Sequence, residues 1–92
     1  MKKYVVICET MNRASSLCKC TLHCLGSLIR VVRRYPMLYI ETVDNTRLYF
    51  TSEYLWFRGG QRLGRHDWKP IHGYKFETML DAWVAGKENN LC

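Results

Sequence analysis

The 92-residue sequence has no hydrophobic run long enough to span a membrane, no low-complexity segment and no internal repeat. Its first apolar run, residues 4–8, is far too short for a signal peptide and leads to no cleavage site. We therefore expect a cytoplasmic protein that does not contact membranes. A hydrophobic content of 48% against 24% charged residues argues against disorder, so residues 1–92 are predicted to form one globular domain.

The common signatures of nucleotide and acyl chemistry are also missing. The chain contains no Walker A motif, no G-x-G-x-x-G and no G-x-S-x-G. Acidic residues are few, with eight Asp and Glu against fourteen Lys and Arg, which gives a net charge of +6. This excess of positive charge favours an acidic partner, whether nucleic acid, a nucleotide or an acidic protein surface.

Cysteine is present in an odd number, five, without the spacing of a zinc site. Cys20, His23 and Cys24 would share one face of a helix, but structural zinc requires four ligands, commonly in paired and separated knuckles. We predict reduced thiols, no metal and no cofactor. The residues from which a fourth ligand would have to come are Cys18, through a broken helix, or His66, His72 or Cys92.

The apolar pattern predicts the order strand, helix, strand, hairpin, loop, helix. A first strand that crosses over through a helix is expected to pair in parallel with a later strand. The predicted fold class is α/β, with α+β as the alternative: one small domain with a mixed sheet of about four strands and two helices packed on it. The predicted elements are strands at residues 4–8 and 28–33, a hairpin of residues 37–43 and 47–52, a short extended piece at residues 69–72, helices at residues 13–25 and 74–85, the second ended by Gly86, and a loose tail at residues 87–92.

The hairpin register follows from its hydrophobic pattern. A two-residue loop would mix the faces, whereas a three-residue loop at residues 44–46 separates them. Leu38, Ile40 and Thr42 then share one face with Leu48, Phe50 and Ser52, and Tyr39, Glu41 and Val43 share the other with Arg47, Tyr49 and Thr51. The predicted core consists of Val5, Val6, Ile7, Leu17, Leu22, Ile40, Leu48, Phe50, Phe76, Leu80 and Trp83.

Residues 54–68, here called the aromatic–arginine segment, combine three glycines, three arginines, a histidine and four aromatic residues. No strand or helix period runs through the segment, which favours a loop. Arginine binds phosphates and aromatic rings stack on bases, so the segment is the best candidate for a binding surface. The alternative is a structural loop whose Trp and Phe fold onto the core while the arginines stay solvated. The residues predicted to contact a partner are Trp56, Phe57, Arg58, Arg62, Arg65, His66 and Trp68.

A second basic cluster consists of Arg30, Arg33 and Arg34. On a strand, Arg30 and Val32 would lie on one face and Val31 and Arg33 on the other. Two explanations fit this cluster equally well. It is either the charged surface of a solvated edge strand, which discourages pairing with another strand, or a patch that binds an acidic partner.

Two weaker patterns leave an enzyme open as an alternative. Cys8 and Arg13 are separated by four residues, a spacing similar to the rhodanese-type loop, but Met11 replaces the glycine that is frequent there, and a buried cysteine is the commoner explanation. His66, Asp67 and His72 lack a recognisable orienting partner. A non-enzymatic protein is therefore favoured over a cysteine- or histidine-dependent enzyme.

The pattern as a whole resembles the small accessory proteins of bacteriophages. The resemblance rests on residues 3–8, the hairpin of residues 38–50, the Arg/Gly-rich run at residues 58–65 and residues 73–81. The order also resembles part of a helicase or terminase core, but there is no phosphate loop and no adjacent Asp-Glu pair, and His72-Gly73 stand in the comparable place. The resemblance implies a non-catalytic viral protein in the host cytoplasm, including the class of inhibitors that block host nucleic-acid defences.

The expected function is binding of nucleic acid, or of a host defence protein that handles nucleic acid, through the aromatic–arginine segment. One alternative is sequestration of a small phosphorylated ligand or nucleotide by the same segment. The other is the cysteine- or histidine-dependent enzyme.

Overall fold

The fold is seen in a computed structural model that describes residues 2–34, 37–58 and 68–90. Within these ranges the α/β class is confirmed, with five strands instead of about four and three α-helices instead of two. The strands are β1 (Lys3–Cys8), β2 (Ile29–Arg33), β3 (Leu38–Thr42), β4 (Arg47–Ser52) and β5 (Lys69–His72), and the α-helices are α1 (Met11–Leu25), α2 (Glu53–Arg58) and α3 (Gly73–Asn90), with a 3-10 turn at Gly26–Leu28.

The strands form one mixed sheet in the order β2-β3-β4-β1-β5. β1 pairs in parallel with both β4 and β5, whereas β2, β3 and β4 are antiparallel neighbours. The expected parallel pairing of the first strand with a later one is therefore confirmed. The interior position of β1, between β4 and β5, agrees with its continuous β-branched run, because a strand covered on both faces has no polar side.

Helix α1 begins and ends at local sequence signals. Thr10 Oγ1 accepts a hydrogen bond from the Arg13 N–H at 3.1 Å, which caps the first turn and starts the helix at Met11. The helix ends at Gly26, whose φ of 32° is more favourable for glycine than for other residues, and whose N–H donates to the Leu22 carbonyl. The predicted end of this helix at residue 25 is thus confirmed.

Helix α3 runs past the residue that was expected to end it. Gly86 lies inside the helix, so the prediction of a loose tail is wrong for residues 87–90, and residues 91–92 lie outside the described chain. An interior glycine costs about 1 kcal/mol relative to alanine, which packing and the helix formers around it can offset. At the other end, a Cβ on Gly73 would lie 3.0 Å from Cys8 Sγ, so this glycine allows the helix to start close against β1.

The sheet has two differently covered faces. The face covered by α1 and α3, called the two-helix face, holds most of the core, and the opposite face, called the α2 face, holds a smaller cluster under α2. The predicted core is confirmed apart from Leu22 and Trp83, which are partly buried at its border. The two-helix face includes Val6, Leu17, Ile40, Leu48, Phe50, Phe76 and Leu80, and the α2 face includes Val5, Ile7, Tyr49 and Trp56.

The hairpin keeps the predicted faces with a shifted loop. Leu38 pairs with Phe50 and Ile40 with Leu48, so the three-residue loop is residues 43–45 and not 44–46. The shift moves the pairing by two residues and therefore leaves each side chain on its predicted face. Asn45 has a φ of 69°, a left-handed conformation that asparagine tolerates better than most residues.

Strand β2 contains an irregularity that changes the placement of its first arginine. The register shifts between Ile29 and Val31, which leaves Arg30 as an extra residue. Arg30 reaches Glu41 on the α2 face, whereas Val32 pairs with Ile40 of the two-helix face. The expectation that Arg30 and Val32 lie on the same face is therefore wrong, because it assumed an uninterrupted strand.

Candidate nucleic-acid interface

The structure describes both ends of the aromatic–arginine segment, residues 54–58 and Trp68. The first end differs from the predicted loop, because residues 54–58 belong to helix α2. Its start is fixed by Ser52, whose Oγ accepts a hydrogen bond from the Leu55 N–H at 3.2 Å. Outside the described residues lie three predicted contacts, Arg62, Arg65 and His66.

Trp56 anchors α2 to the sheet. Its side chain is only 6% exposed and packs with Val5, Ile7 and Tyr49. Of the large apolar side chains in α2, Trp56 is the one that is buried. Its ring packs on the sheet and is not accessible to a partner. The prediction that Trp56 faces a partner is therefore corrected: it positions the segment instead.

Phe57 and Arg58 follow the anchor and face solvent. The Phe57 side chain is 74% exposed, an unusual placement for a large apolar residue. The Arg58 guanidinium lies 5.4 Å from the centroid of the Tyr54 ring, and its Nη1 donates a hydrogen bond to Tyr54 Oη. The segment thus presents an aromatic ring and a positioned cation side by side.

Trp68, at the far end of the segment, meets an aromatic residue of another strand. Its ring centroid lies 6.4 Å from that of Tyr39 in β3, with the planes inclined by 51°. Trp68 also packs against the core cluster of the α2 face. Because β5 and β3 are separated by two strands, Trp68 must lie across this face to reach Tyr39.

Tyr39 belongs to a charged network on the same face. Arg30 Nη2 and Tyr39 Oη both donate hydrogen bonds to the Glu41 carboxylate, the second at 3.1 Å, and Arg47 Nε lies 3.9 Å from Glu41 Oε1. The hydrogen bond from Arg30 is the main cause that holds the pKa of Glu41 below its usual value. Burial is the main cause that raises the pKa of Tyr39.

Arg33 adds another positive charge beside this network, since its guanidinium acts electrostatically on Tyr39. The resulting group has two guanidinium groups, those of Arg30 and Arg47, at the Glu41 carboxylate. The third arginine, Arg33, is the cross-strand partner of Tyr39. We call it the arginine–tyrosine cluster. Its members are Arg30, Arg33, Tyr39, Glu41 and Arg47.

The basic patch predicted on β2 is divided between two sides of the molecule. Arg30 and Arg33 belong to the arginine–tyrosine cluster. Arg34 instead acts electrostatically on Cys18 of α1, where burial is the larger influence and raises the pKa of the thiol. Because Arg34 follows the last residue of β2 and influences Cys18 on the two-helix face, we assign it to that side and not to the arginine–tyrosine cluster.

Sequence reasoning did not single out Tyr39 and Arg47, although the signal was present. The hairpin register predicted that Tyr39, Glu41 and Arg47 share a face, and they do. What the pattern could not show is that Trp68 reaches the same face from the other edge of the sheet. The tertiary structure therefore joins a residue of the aromatic–arginine segment to residues of the β2 patch.

The cysteines show a pair rather than a four-ligand site. Cys20 and Cys24 are 3.8 Å apart, measured between their Sγ atoms, on α1. Within residues 2–34, 37–58 and 68–90, no three His, Cys, Asp or Glu side chains form a group that could hold a metal ion. The absence of a metal remains a prediction for the whole chain, and elemental analysis of protein purified without chelator tests it.

The residues of the enzyme alternative do not form a catalytic arrangement in the part of the chain that is described. Cys8 is buried, and burial is the main cause that raises the pKa of its thiol, the opposite of activation. His72 stacks on Tyr74, with ring centroids 5.6 Å apart. Neither residue contacts a described group that would orient it for acid–base chemistry.

A cleft of about 340 Å³ lies between the end of α1, the hairpin loop and α3. Its walls are mostly apolar and include Leu25, Leu28 and Trp83, with Lys2 and Asp44 at its polar part. A hydrogen bond from Thr42 is the main cause that lowers the pKa of Asp44, so the carboxylate stays charged at neutral pH. A charged carboxylate disfavours phosphate, so this cleft does not suit a phosphorylated ligand. Sequestration of such a ligand by the aromatic–arginine segment, whose described residues do not line this cleft, stays a prediction.

No known protein family, no curated protein and no solved structure matches this chain. Across the described ranges, none of the helices is long and apolar enough to cross a membrane.

Proposed function

We propose that the protein is a non-enzymatic binding protein that engages single-stranded nucleic acid across the α2 face of its sheet. One observation carries the proposal: the Tyr39–Trp68 ring pair lies beside three arginines, of which two approach the Glu41 carboxylate and the third, Arg33, pairs across the strands with Tyr39. Aromatic rings for base stacking next to cations for the backbone are the usual means of binding single strands.

The end of α2 extends this surface. Phe57 and Arg58 are exposed directly after the Trp56 anchor, and Arg62, Arg65 and His66 continue the same basic and aromatic composition. We include all five in the proposed contact. The sheet then supplies one part of the proposed surface, and the segment that begins at α2 supplies the other.

The first experiment compares Arg33→Ala with Arg34→Ala. Both arginines are exposed and adjacent in sequence, but only Arg33 is assigned to the proposed binding face. Binding of a labelled single-stranded oligonucleotide is followed by fluorescence anisotropy between 50 and 200 mM salt, a range over which phosphate contacts weaken. Arg33→Ala should weaken binding and reduce the slope of log K against log salt by about 0.7, the value for one phosphate contact on a single strand. Arg34→Ala should leave both unchanged.

Equal losses in the two variants would mean that only net charge matters and would overturn the assignment of the face. A second variant, Tyr39→Ala, removes a stacking ring, which is worth about 1–3 kcal/mol per base. Tyr39→Phe keeps the ring and should retain most of the affinity. A loss of affinity in both Tyr39→Ala and Tyr39→Phe would mean that the hydrogen bond to Glu41, and not stacking, supports binding.

The contribution of the aromatic–arginine segment is tested by replacing Arg58, Arg62 and Arg65 together with alanine. Binding to the oligonucleotide should be lost while the thermal midpoint stays nearly unchanged, since exposed substitutions usually alter stability by no more than about 0.5 kcal/mol. If the variant folds and keeps full affinity, the segment does not contact the nucleic acid. An unfolded variant would show that the segment is structural.

The second candidate partner is a host protein that handles nucleic acid. It is supported by the resemblance to small bacteriophage accessory proteins, which extends the proposal to an anti-defence inhibitor acting in the bacterial cytoplasm. A pull-down from bacterial lysate with and without nuclease separates the two candidates. Capture that survives nuclease and depends on Arg33 favours the protein partner.

A further inference from the structure

The carboxyl ends of β1 and β4 meet at a point where the chain leaves the sheet in opposite directions. After β1 the chain enters α1 on the two-helix face, and after β4 it enters α2 on the opposite face. Crevices at such topological switch points are the preferred ligand sites of open α/β sheets. The nucleic-acid proposal uses Phe57 and Arg58 near this position, but not the residues that directly follow β1 and β4.

Two glutamates follow neighbouring strands at the switch point. Cys8 and Ser52 are partners in the parallel register, so Glu9 and Glu53 are the first residues beyond two adjacent strands. Both glutamates are exposed, and neither has an ion-pair partner among the described residues. On a chain with a net charge of +6, this is a local concentration of negative charge.

The glutamates line an open cleft together with aromatic side chains. The cleft encloses about 610 Å³ and is lined by Glu9, Glu53, Tyr54, Phe57 and Arg58. Tyr54 is 64% exposed and Phe57 is 74% exposed, so both rings are accessible to a partner. Carboxylates beside exposed rings provide both the charge and the π-face that a cationic group requires.

The protein itself shows which cation these rings accept. The Arg58 guanidinium lies over Tyr54 and is hydrogen-bonded to its hydroxyl, as a guanidinium from a partner would be. The Phe57 ring has no such cation among the described residues. In the cleft, the Tyr54 ring is therefore already in contact with an arginine of the same chain. The Phe57 ring and the two glutamates have no cationic partner among the described residues.

We propose that this cleft binds an arginine or lysine side chain presented by a basic peptide segment of a partner protein. The cleft is open to solvent, which suits a side chain projecting from a peptide better than an enclosed small molecule. Its two carboxylates disfavour a phosphate, so the glutamate side of the cleft is distinct from the nucleic-acid contact, although Phe57 and Arg58 border both. No third metal-ligating side chain joins them in the described parts of the chain, so a divalent cation is not the favoured occupant.

The binding experiment uses a fluorescently labelled peptide of alternating arginine and glycine, followed by anisotropy at low salt. The matched peptide contains citrulline, which has the shape of arginine without its charge. Wild-type protein should bind the arginine peptide at least tenfold more tightly than the citrulline peptide. The double variant Glu9→Gln, Glu53→Gln should lose this difference, whereas Asp81→Asn, which removes an exposed carboxylate on α3, should keep it.

Absence of binding by wild-type protein, or an equal loss in the Asp81→Asn control, would overturn the proposal. A second comparison tests the internal arginine. Arg58→Gln should strengthen peptide binding several-fold, because it frees the Tyr54 ring and removes a like charge. Lys75→Gln, the same change in charge outside the cleft, should not. An equal gain in peptide affinity in both variants would mean that only the net charge of the protein matters, and it would also overturn the proposal.

Discussion

The two faces of the sheet are formed by the same strands but are covered in different ways. On the two-helix face, α1 and α3 contribute whole turns of apolar side chains to a continuous core that includes Phe50 and Phe76, whose rings meet edge to face at 5.5 Å. On the α2 face, the six-residue helix α2 contributes Trp56, and the neighbouring surface carries charged side chains. The comparison indicates that most of the buried core lies on the first face, whereas the proposed binding surface lies on the second.

The largest expected effect is a loss of stability on the two-helix face. Leu80 is 3% exposed in α3, and Leu80→Ala should lower the free energy of unfolding by about 2–5 kcal/mol through lost burial and a cavity. Leu55→Ala deletes the same atoms from the exposed surface of α2 and should change stability by no more than about 0.5 kcal/mol. Urea denaturation measures both, and equal values would contradict the difference between the faces.

A smaller effect is expected from two glycines of α3. A Cβ on Gly86 would meet no atom within 4 Å, so Gly86→Ala should raise the free energy of unfolding by about 0.4–1 kcal/mol. A Cβ on Gly73 would approach Cys8 Sγ to 3.0 Å, so Gly73→Ala should lower it. Thermal and urea denaturation of the two variants test whether α3 continues through Gly86. If Gly86→Ala destabilises the protein, the helix does not extend there.

The arginine–tyrosine cluster predicts a pH dependence that is weaker than these packing effects because its members are partly exposed. Arg30 lowers the pKa of Glu41 in the folded protein, so the carboxylate contributes stability above its usual value of 4.5. That contribution is lost as the pH falls through the lower folded pKa. Glu41→Gln should therefore be less stable than wild type at pH 7, and the difference should shrink toward pH 3.

The control for this measurement is Asp81→Asn, which alters an exposed carboxylate outside the cluster. Its difference from wild type should remain nearly constant over the same pH range. A difference for Glu41→Gln that grows on acidification would have the wrong sign for a lowered pKa and would contradict the network around Glu41.

The smallest effect is expected from a change on the solvent side of α1. Cys20 is exposed, whereas Cys8 and Cys18 are buried on the two-helix face, and burial raises the pKa of both thiols. In a Cys92→Ser background, iodoacetamide should modify Cys20 first and leave the urea midpoint unchanged, as peptide mass spectrometry and denaturation would show. Early modification of Cys8 or Cys18 would mean that the two-helix face opens readily.

Local patterns were sufficient to predict most elements of the fold. The β-branched run of residues 4–8 marked a strand buried on both faces, and helical spacing placed Phe76 and Leu80 in the core. Thr10 and Gly26 bounded α1 through hydrogen bonds that involve only near neighbours. The end of α3 was missed at Gly86, because a single glycine stops a helix only when the following residues favour another conformation.

The candidate binding surface could be predicted only in part. Composition identified the aromatic–arginine segment and the arginines of β2, and alternation in the hairpin placed Tyr39 with Arg47. Composition could not distinguish the buried Trp56 from the exposed Phe57, because both are large and apolar and their difference depends on which one meets Val5 and Ile7.

By itself, the sequence determined the class of fold, the parallel pairing of the first strand, the two faces of the hairpin and the positive charge. These properties depend on short-range sequence patterns, which are present in the chain whatever the tertiary arrangement of its strands and helices. The tertiary structure decided that Trp68 reaches Tyr39, that Arg30 and Arg34 separate, and that Glu9 and Glu53 follow neighbouring strands. Strand order and register bring these residues together over long separations in sequence, which no local pattern specifies.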